Sequence, residues 1–238
     1  MSYSKLIIIV LNFLDYFQQK KIINLINNKF LKPIIVFDVG AHYGETIKLF
    51  YKRLKLDKIY SFEASPKNFE ILQKNVSKYN SKKIEIHNYG VGEQISKNYI
   101  NQTLESSSST INQLNEKSKY FKKKLKILNI KNKDSFQIKI PIKILTLDYF
   151  IEKNKIEYID LLKIDTEGYE LNVLKGLSKH NKKVKLVYFE HHYDDMIIKN
   201  YKFSDIHHLL KSYNFVMIKK SKMIFRKSFE YVYEKKKI

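Results

Sequence analysis

The sequence predicts a parallel, doubly wound α/β sheet, and three observations carry that prediction. Strand-length apolar runs alternate with helix-length amphipathic segments along most of the 238 residues, the pattern of consecutive β-α-β units. The runs Ile34–Val39 and Tyr158–Ile164 are largely apolar rather than strictly alternating, as strands covered on both faces are. A glycine turn, Gly40 to Gly44, joins the first of these runs to a helix.

Residues 1–33 read as an N-terminal helical segment closed by Pro33, ahead of a domain spanning 34–238. Within that segment the run Leu6–Leu14 is too short to span a bilayer. Only Lys5 precedes it, and no small-residue cleavage site follows, so a secretory signal is not expected. A helix covering the domain edge is expected instead. Lys20, Lys21 and Lys29 leave peripheral membrane contact as an alternative use of this segment.

After the strand 34–39 come a helix at Glu45–Leu54, a strand at Lys58–Glu63 and a helix from Pro66 to Tyr79. Proline is favoured in a first helical turn. A third strand, Lys83–Asn88, alternates in polarity. From Glu93 to about Gln137 the pattern dissolves into a Ser-rich patch, Ser106–Thr110, and a Lys-rich stretch around Lys122–Lys126. A connection of that length points to an irregular insertion acting as lid or substrate loop. Order resumes with the run Ile138–Ile144, a helix at Leu145–Glu152, the strand Tyr158–Ile164 and a helix at Gly168–Leu177. The strand Val184–Phe189, a helix near Ser204–Tyr213, and strands at Phe215–Ile218 and Phe229–Tyr233 complete the chain.

Composition narrows the function. Hydrophobic residues at 44% and aromatic residues at 14% argue against disorder. The absence of cysteine excludes disulfides, thiolate zinc sites and a cysteine nucleophile. It fits a reducing, cytoplasmic setting. A formal charge of +21 invites a nucleic-acid partner, but among 45 Lys and Arg only Arg53 and Arg226 are arginine. Arginine is the better residue for bidentate base and phosphate contacts. With Ala41 and Ala64 the only alanines, the skew is that of an AT-rich coding sequence, spread over the chain. Nucleic acid is therefore not the favoured partner.

The segment Asp38-Val-Gly-Ala-His-Tyr-Gly44 lies between a strand and a helix, where glycines admit a ligand close to the backbone. Its G-x-x-x-G spacing lacks the third glycine of a dinucleotide loop. Glu63 ends the next strand, where an acid can hold two ribose hydroxyls. Together they suit an adenosine with a positively charged or zwitterionic tail, and S-adenosylmethionine is such a molecule.

The segments "VFDVGAHYGET", "SFEASPKNFEILQKN", "IHNYGVG", "LTLDYFI", "IDLLKIDTEGYELNVLKG" and "VYFEHH" follow one another in that order. Over residues 34 to 192 this resembles the FkbM family of S-adenosylmethionine-dependent methyltransferases. The resemblance implies a Rossmann-like class I methyltransferase fold, with a seven-stranded, mostly parallel sheet, one strand reversed, and helices on both faces. It implies O-methylation of a sugar, glycan or small metabolite. By position it puts Gly40 and Gly44 at the methionine moiety, Glu63 on the ribose and Asn88 with Tyr89 beside the adenine. Asp38 then orients the loop or the amino group, and His42 stands where the family carries Asn.

In such a sheet Asp165 ends a strand next to the first and faces the donor cleft. Glu167 and Glu170 open the following helix, where acids suit the macrodipole. Glu170 reads as a helix-start residue, and Glu167 stands between that and a catalytic part. Glu190-His191-His192 ends the neighbouring strand. His191 is the expected general base on an acceptor hydroxyl. Asp165, Glu190 and His191 are the alternative, as ligands of Mg²⁺ or another divalent ion. Lys163 falls on the face of its strand that Asp165 shares. Competing readings are an RNA ribose methyltransferase using Lys163 and Asp165, a metal-dependent glycosyltransferase using Asp165 and Glu167, and a catalytically silent adenosine-binding scaffold.

Overall fold

A computed structural model describes residues 20–79, 82–104, 106–130, 136–223 and 227–236. At its centre lie the two apolar strands, β1 (Ile34–Val39) and β7 (Ile159–Ile164), parallel and paired with Asp38 opposite Lys163. Around them stand β2 (Leu56–Phe62), β3 (Ile84–His87), β8 (Val184–His192), β9 (Phe215–Lys222) and β10 (Ser228–Lys235). The sheet runs β3-β2-β1-β7-β8-β10-β9, and β10 alone is antiparallel to its neighbours. The expected seven-stranded, mostly parallel sheet with one reversed strand is the observed one.

Both faces are covered because β1 has apolar side chains pointing each way. Ile34 and Val36 meet the helix 20–29 (α1) through Ile22 and Ile26, α2 (Glu45–Arg53) through Ile47 and Phe50, and α3 (Pro66–Val76) through Leu72. Phe37 and Val39 face the opposite cluster, built by α5 (Leu147–Lys153), α6 (Glu170–Lys175) and α7 (Phe203–Ser212). Fully burying such a side chain stabilises by about 1.5–3 kcal/mol, so α1 is part of the domain rather than an appendage. The run Leu6–Leu14 lies outside the described residues. Among the described residues no helix is long and apolar enough to cross a membrane.

The region read as an irregular insertion holds two regular elements between its loops. They are β5 (Ser96–Thr103) and α4 (Lys119–Ile127); β5 pairs antiparallel with β6 (Gln137–Leu145), and β4 (Gly90–Val91), just before the region, lies on the other side of β6. Apolar periodicity misses β5 because its buried half, after Ile100, is the polar run Asn101, Gln102 and Thr103, satisfied by hydrogen bonds. Asn101 donates to the Asn112 carbonyl at 2.7 Å and Gln102 to Asn68 at 3.2 Å. In α4 only Phe121 and Leu125 form a buried stripe, under an N-cap in which Ser118 accepts from two backbone N–H groups.

Candidate active site

The loop after β1 is shaped by close packing. Gly40 adopts φ +88°, and a Cβ there would lie 1.9 Å from the Asp165 carbonyl oxygen. The two strand ends are pinned together by the Asp165 N–H donating to the Val39 carbonyl at 2.9 Å. Gly40 is therefore required by the neighbouring backbone, and a branched side chain there meets Asp165 rather than a ligand's tail. Gly44, at φ +92°, begins α2 with Leu72 of α3 at its back.

Glu63 lies beneath this loop. One carboxylate oxygen accepts from the His42 N–H at 2.8 Å and the other from the Ser65 N–H at 2.9 Å. Ser65 caps α3 itself, so Glu63 is not needed as a cap. Burial pushes the Glu63 carboxyl up to about 7 against these bonds. The His42 side chain points away from the carboxylate. Its Nδ1 sits 3.1 Å from Glu45 and its Nε2 2.7 Å from the Ser106 hydroxyl. Burial opposes charge on this ring, but the Glu45 hydrogen bond and charge outweigh it and raise its pKa.

A row of polar side chains crosses the sheet from this point. Asp38 is fully buried, and its Oδ1 has no hydrogen-bond partner among the described residues. Burial pushes its carboxyl up to about 6 despite Lys163. The Lys163 ammonium lies 3.1 Å from Asp165 and 3.8 Å from Asp38. Burial works against its charge, but those two acids outweigh burial and keep it protonated. Asp165, with a side chain 34% exposed, opens into a cavity of about 1350 Å³. Gly40, Glu63, Tyr89 and Lys163 share that cavity. Asn88 does not. It donates to the Glu63 carbonyl at 2.9 Å and lines a smaller recess beside Pro66.

The end of β8 corrects the expected base. Side chains alternate along a strand, so Glu190 and His192 line the cavity while His191 turns to the other face. There His191 is 3% exposed, among Tyr193, Tyr201 and Phe203, with Glu170 at 3.8 Å. Glu170 is buried and structural, accepting from Tyr201 at 2.6 Å and the Gly168 N–H at 2.8 Å. His192 lies 3.5 Å from both Glu167 and Glu190 and 3.6 Å from Asp194. Burial opposes its charge, yet these acids raise it to about 10. A ring held protonated at neutral pH cannot accept a proton. Burial pushes Glu167 up to about 7, with His192 opposing. Among the described residues no group of three or more His, Asp or Glu side chains is placed to hold a metal ion. With His191 turned away, the proposed Mg²⁺ ligand set is not assembled.

Over the cavity runs the Ser-rich segment. Thr110 donates to the Glu167 carbonyl at 2.7 Å and Asn112 to the Gly168 carbonyl at 2.5 Å, while Lys124 of α4 reaches Ser108. The segment therefore joins the Gly40–Gly44 loop to the turn after Asp165.

The profile described as "Methyltransferase FkbM domain" matches residues 38–217, most of the chain. The chain belongs to the FkbM methyltransferase family. A curated relative, Methyltransferase 1 of Beauveria bassiana (strain ARSEF 2860), is 23% identical over 145 residues, covering 60% of this chain and 57% of that one. The FkbM methyltransferase of Methylobacillus flagellatus KT superposes with a TM-score of 0.51 at 17% identity, over 84% of this chain and 44% of that one. Sp1610 of Streptococcus pneumoniae, assigned to tRNA (m1A22) methylation and solved with S-adenosyl-L-methionine, superposes with a TM-score of 0.50 at 14% identity. That match covers 92% of this chain and 74% of Sp1610. The chain thus spans about half the length of the Beauveria and Methylobacillus proteins it matches. The two structures show the fold.

Two cavity residues in this FkbM domain escaped the sequence reading. Tyr188 and Glu230 both line the cavity, and the Tyr188 hydroxyl donates to Glu230. An acid inside the apolar strand Ser-Phe-Glu-Tyr-Val-Tyr, residues 228–233, was the available signal.

Proposed function

We propose that the chain is an S-adenosylmethionine-dependent O-methyltransferase acting on a hydroxyl of a sugar, glycan or small metabolite. The observation that carries this reading is Asp165. Its carboxylate opens into the cavity directly beside the Gly40 loop, with Lys163 at 3.1 Å holding it. Family membership supports methyl transfer.

The residues suit the donor. Asp38 does not line the cavity, and its buried Oδ1 faces Lys163 at 3.8 Å, so it acts on the donor by holding that lysine and the loop. Glu63 retains lone pairs for ribose hydroxyls beyond its bonds to His42 and Ser65, and Tyr89 offers an aromatic edge to the cavity. S-adenosylmethionine supplies, when bound, a methyl group already activated on a sulfonium. The chain's own tasks are then to align the acceptor oxygen and to take its proton. Asp165 takes that proton on a carboxylate oxygen, and Lys163 stabilises the carboxylate beforehand.

Calorimetry with S-adenosylhomocysteine, then an acceptor screen with labelled methyl donor, tests the reading. Asp165→Asn preserves shape and is expected to lower turnover by about 10²–10⁴-fold, with cofactor affinity retained. Unchanged turnover in that variant would remove Asp165 from the chemistry. RNA belongs in the same screen, since its methylation with a steep salt dependence would redirect the acceptor assignment.

A further inference from the structure

Beyond Asp165 the cavity floor continues onto β8 and β10. Glu230 is 2% exposed and lines this floor. Its Oε1 accepts from Tyr188, and its Oε2 has no hydrogen-bond partner among the described residues. Glu190 stands opposite as its register partner, and Glu190 Oε1 likewise lacks a hydrogen bond among the described residues. Glu230 Oε2 therefore remains without a partner among the described residues at the edge of the cavity, across from a Glu190 whose Oε1 has His192 at 3.5 Å.

The nearby cations are divided among several acids. Lys163 is engaged by Asp165 and Asp38, and His192 is shared among Glu167, Glu190 and Asp194. Asp165, Glu167, Glu190, Asp194 and Glu230 all line this floor, and besides these two cations Lys124 acts on Glu167 and Lys199 on Asp194. The donor loop does not account for the excess. In the sheet order β10 lies three strands from β1, roughly 14 Å at about 4.8 Å per strand.

Resting on the methyl-transfer reading above, we infer that Glu230 and Glu190 form a subsite for a protonated primary amine on the acceptor. The acceptor is then an amino sugar or comparable amino alcohol whose hydroxyl lies at Asp165. An ammonium has three donors and no acceptor, which suits the unpartnered Glu230 oxygen with the Glu190 carboxylate opposite it. Burial pushes the Glu230 carboxyl up to about 8, with Tyr188 and Lys163 opposing and Glu190 and Asp165 adding. Its neighbour on β9, Ser221, adds no charge. A bound ammonium restores the ionised form, so binding near neutral pH releases a proton. Lysines at the cavity wall, such as Lys48, Lys52 and Lys123, carry no separate assignment, because lysine is spread over the whole chain.

The test uses the full chain in two titrations. S-adenosylhomocysteine comes first, and its failure to bind overturns the donor reading and the subsite with it. With that ligand saturating, glucosamine and galactosamine are expected to bind at least about 10-fold more tightly than their N-acetyl forms. Their binding heat should vary with the ionisation enthalpy of the buffer, reporting the released proton. Glu230→Gln keeps the side chain's shape and is expected to abolish the preference while S-adenosylhomocysteine still binds. If that variant does not fold, Tyr188→Phe decides, with a narrowed preference expected. Equal or absent binding of the amine and N-acetyl forms to the wild type overturns the subsite. So does a preference that stays undiminished in the variants.

Discussion

Glu63 ties the donor loop to the start of α3, because its two oxygens accept from the His42 and Ser65 N–H groups. A change there acts on both the loop and the ligand. Glu63→Gln keeps one acceptor oxygen, and S-adenosylhomocysteine affinity measured by calorimetry is expected to fall by about 1–3 kcal/mol. Undiminished affinity would count against the ribose role. His191 and His192 show how much one position along a strand decides. His191→Asn removes a buried ring beside Glu170 and is expected to lower the melting temperature while leaving the pH profile of turnover unchanged. A shifted profile would return His191 to the proton-transfer path.

At the scale of elements, the stretch from β5 through α4 holds the site's roof. Its grip on the domain is a small cluster, Phe121 and Leu125 of α4 with Leu114, Phe136, Met196 and Ile197. Phe121→Ala opens a cavity there and is expected to cost about 3–5 kcal/mol where that cluster is coupled to global unfolding. Hydrogen exchange would separate two outcomes. Loss of protection confined to residues 106–130 marks the roof as a unit that opens alone, whereas uniform loss marks it as part of the main core.

For the whole molecule, the buried acids make stability a function of pH. Burial raises Asp38 from 3.8 to about 6, Glu63 and Glu167 from 4.5 to about 7, and Glu230 from 4.5 to about 8. His192 rises from 6.5 to about 10, as its acids outweigh burial. In each case the native state holds the proton more tightly than the unfolded chain. The stability each adds is complete below its unfolded pKa and is lost as pH rises through its folded one. Glu45, Glu170 and Asp194 are lowered and act in the opposite sense at acid pH, and His87 opposes weakly near neutrality. The unliganded protein is therefore expected to melt at a lower temperature at about pH 8.5 than at about pH 5.5. Scanning calorimetry across that range checks the sign, and a rising melting temperature would contradict the burial of these groups.

What the sequence determined by itself was the local part. The β1 turn with its glycines, the Ser65 cap before Pro66, the strand and helix alternation and the position of Asp165 at a strand end all depend on neighbours within a few residues. The FkbM segments implied as well that the strand before Asp165 lies next to β1 and that one strand of the sheet is reversed, without saying which. Only the tertiary structure decided the rest. Gly40 is dictated by the backbone of Asp165, a residue far along the chain. The buried end of β5 is fixed by amide hydrogen bonds that no apolar periodicity reveals. The acid floor combines residues 163–165, 188–192 and 230 from three strands, and period-two alternation divides each strand into two faces without saying which lies beneath the cavity. That choice follows from how the strands stack, so His192 and Glu230 rather than His191 meet there.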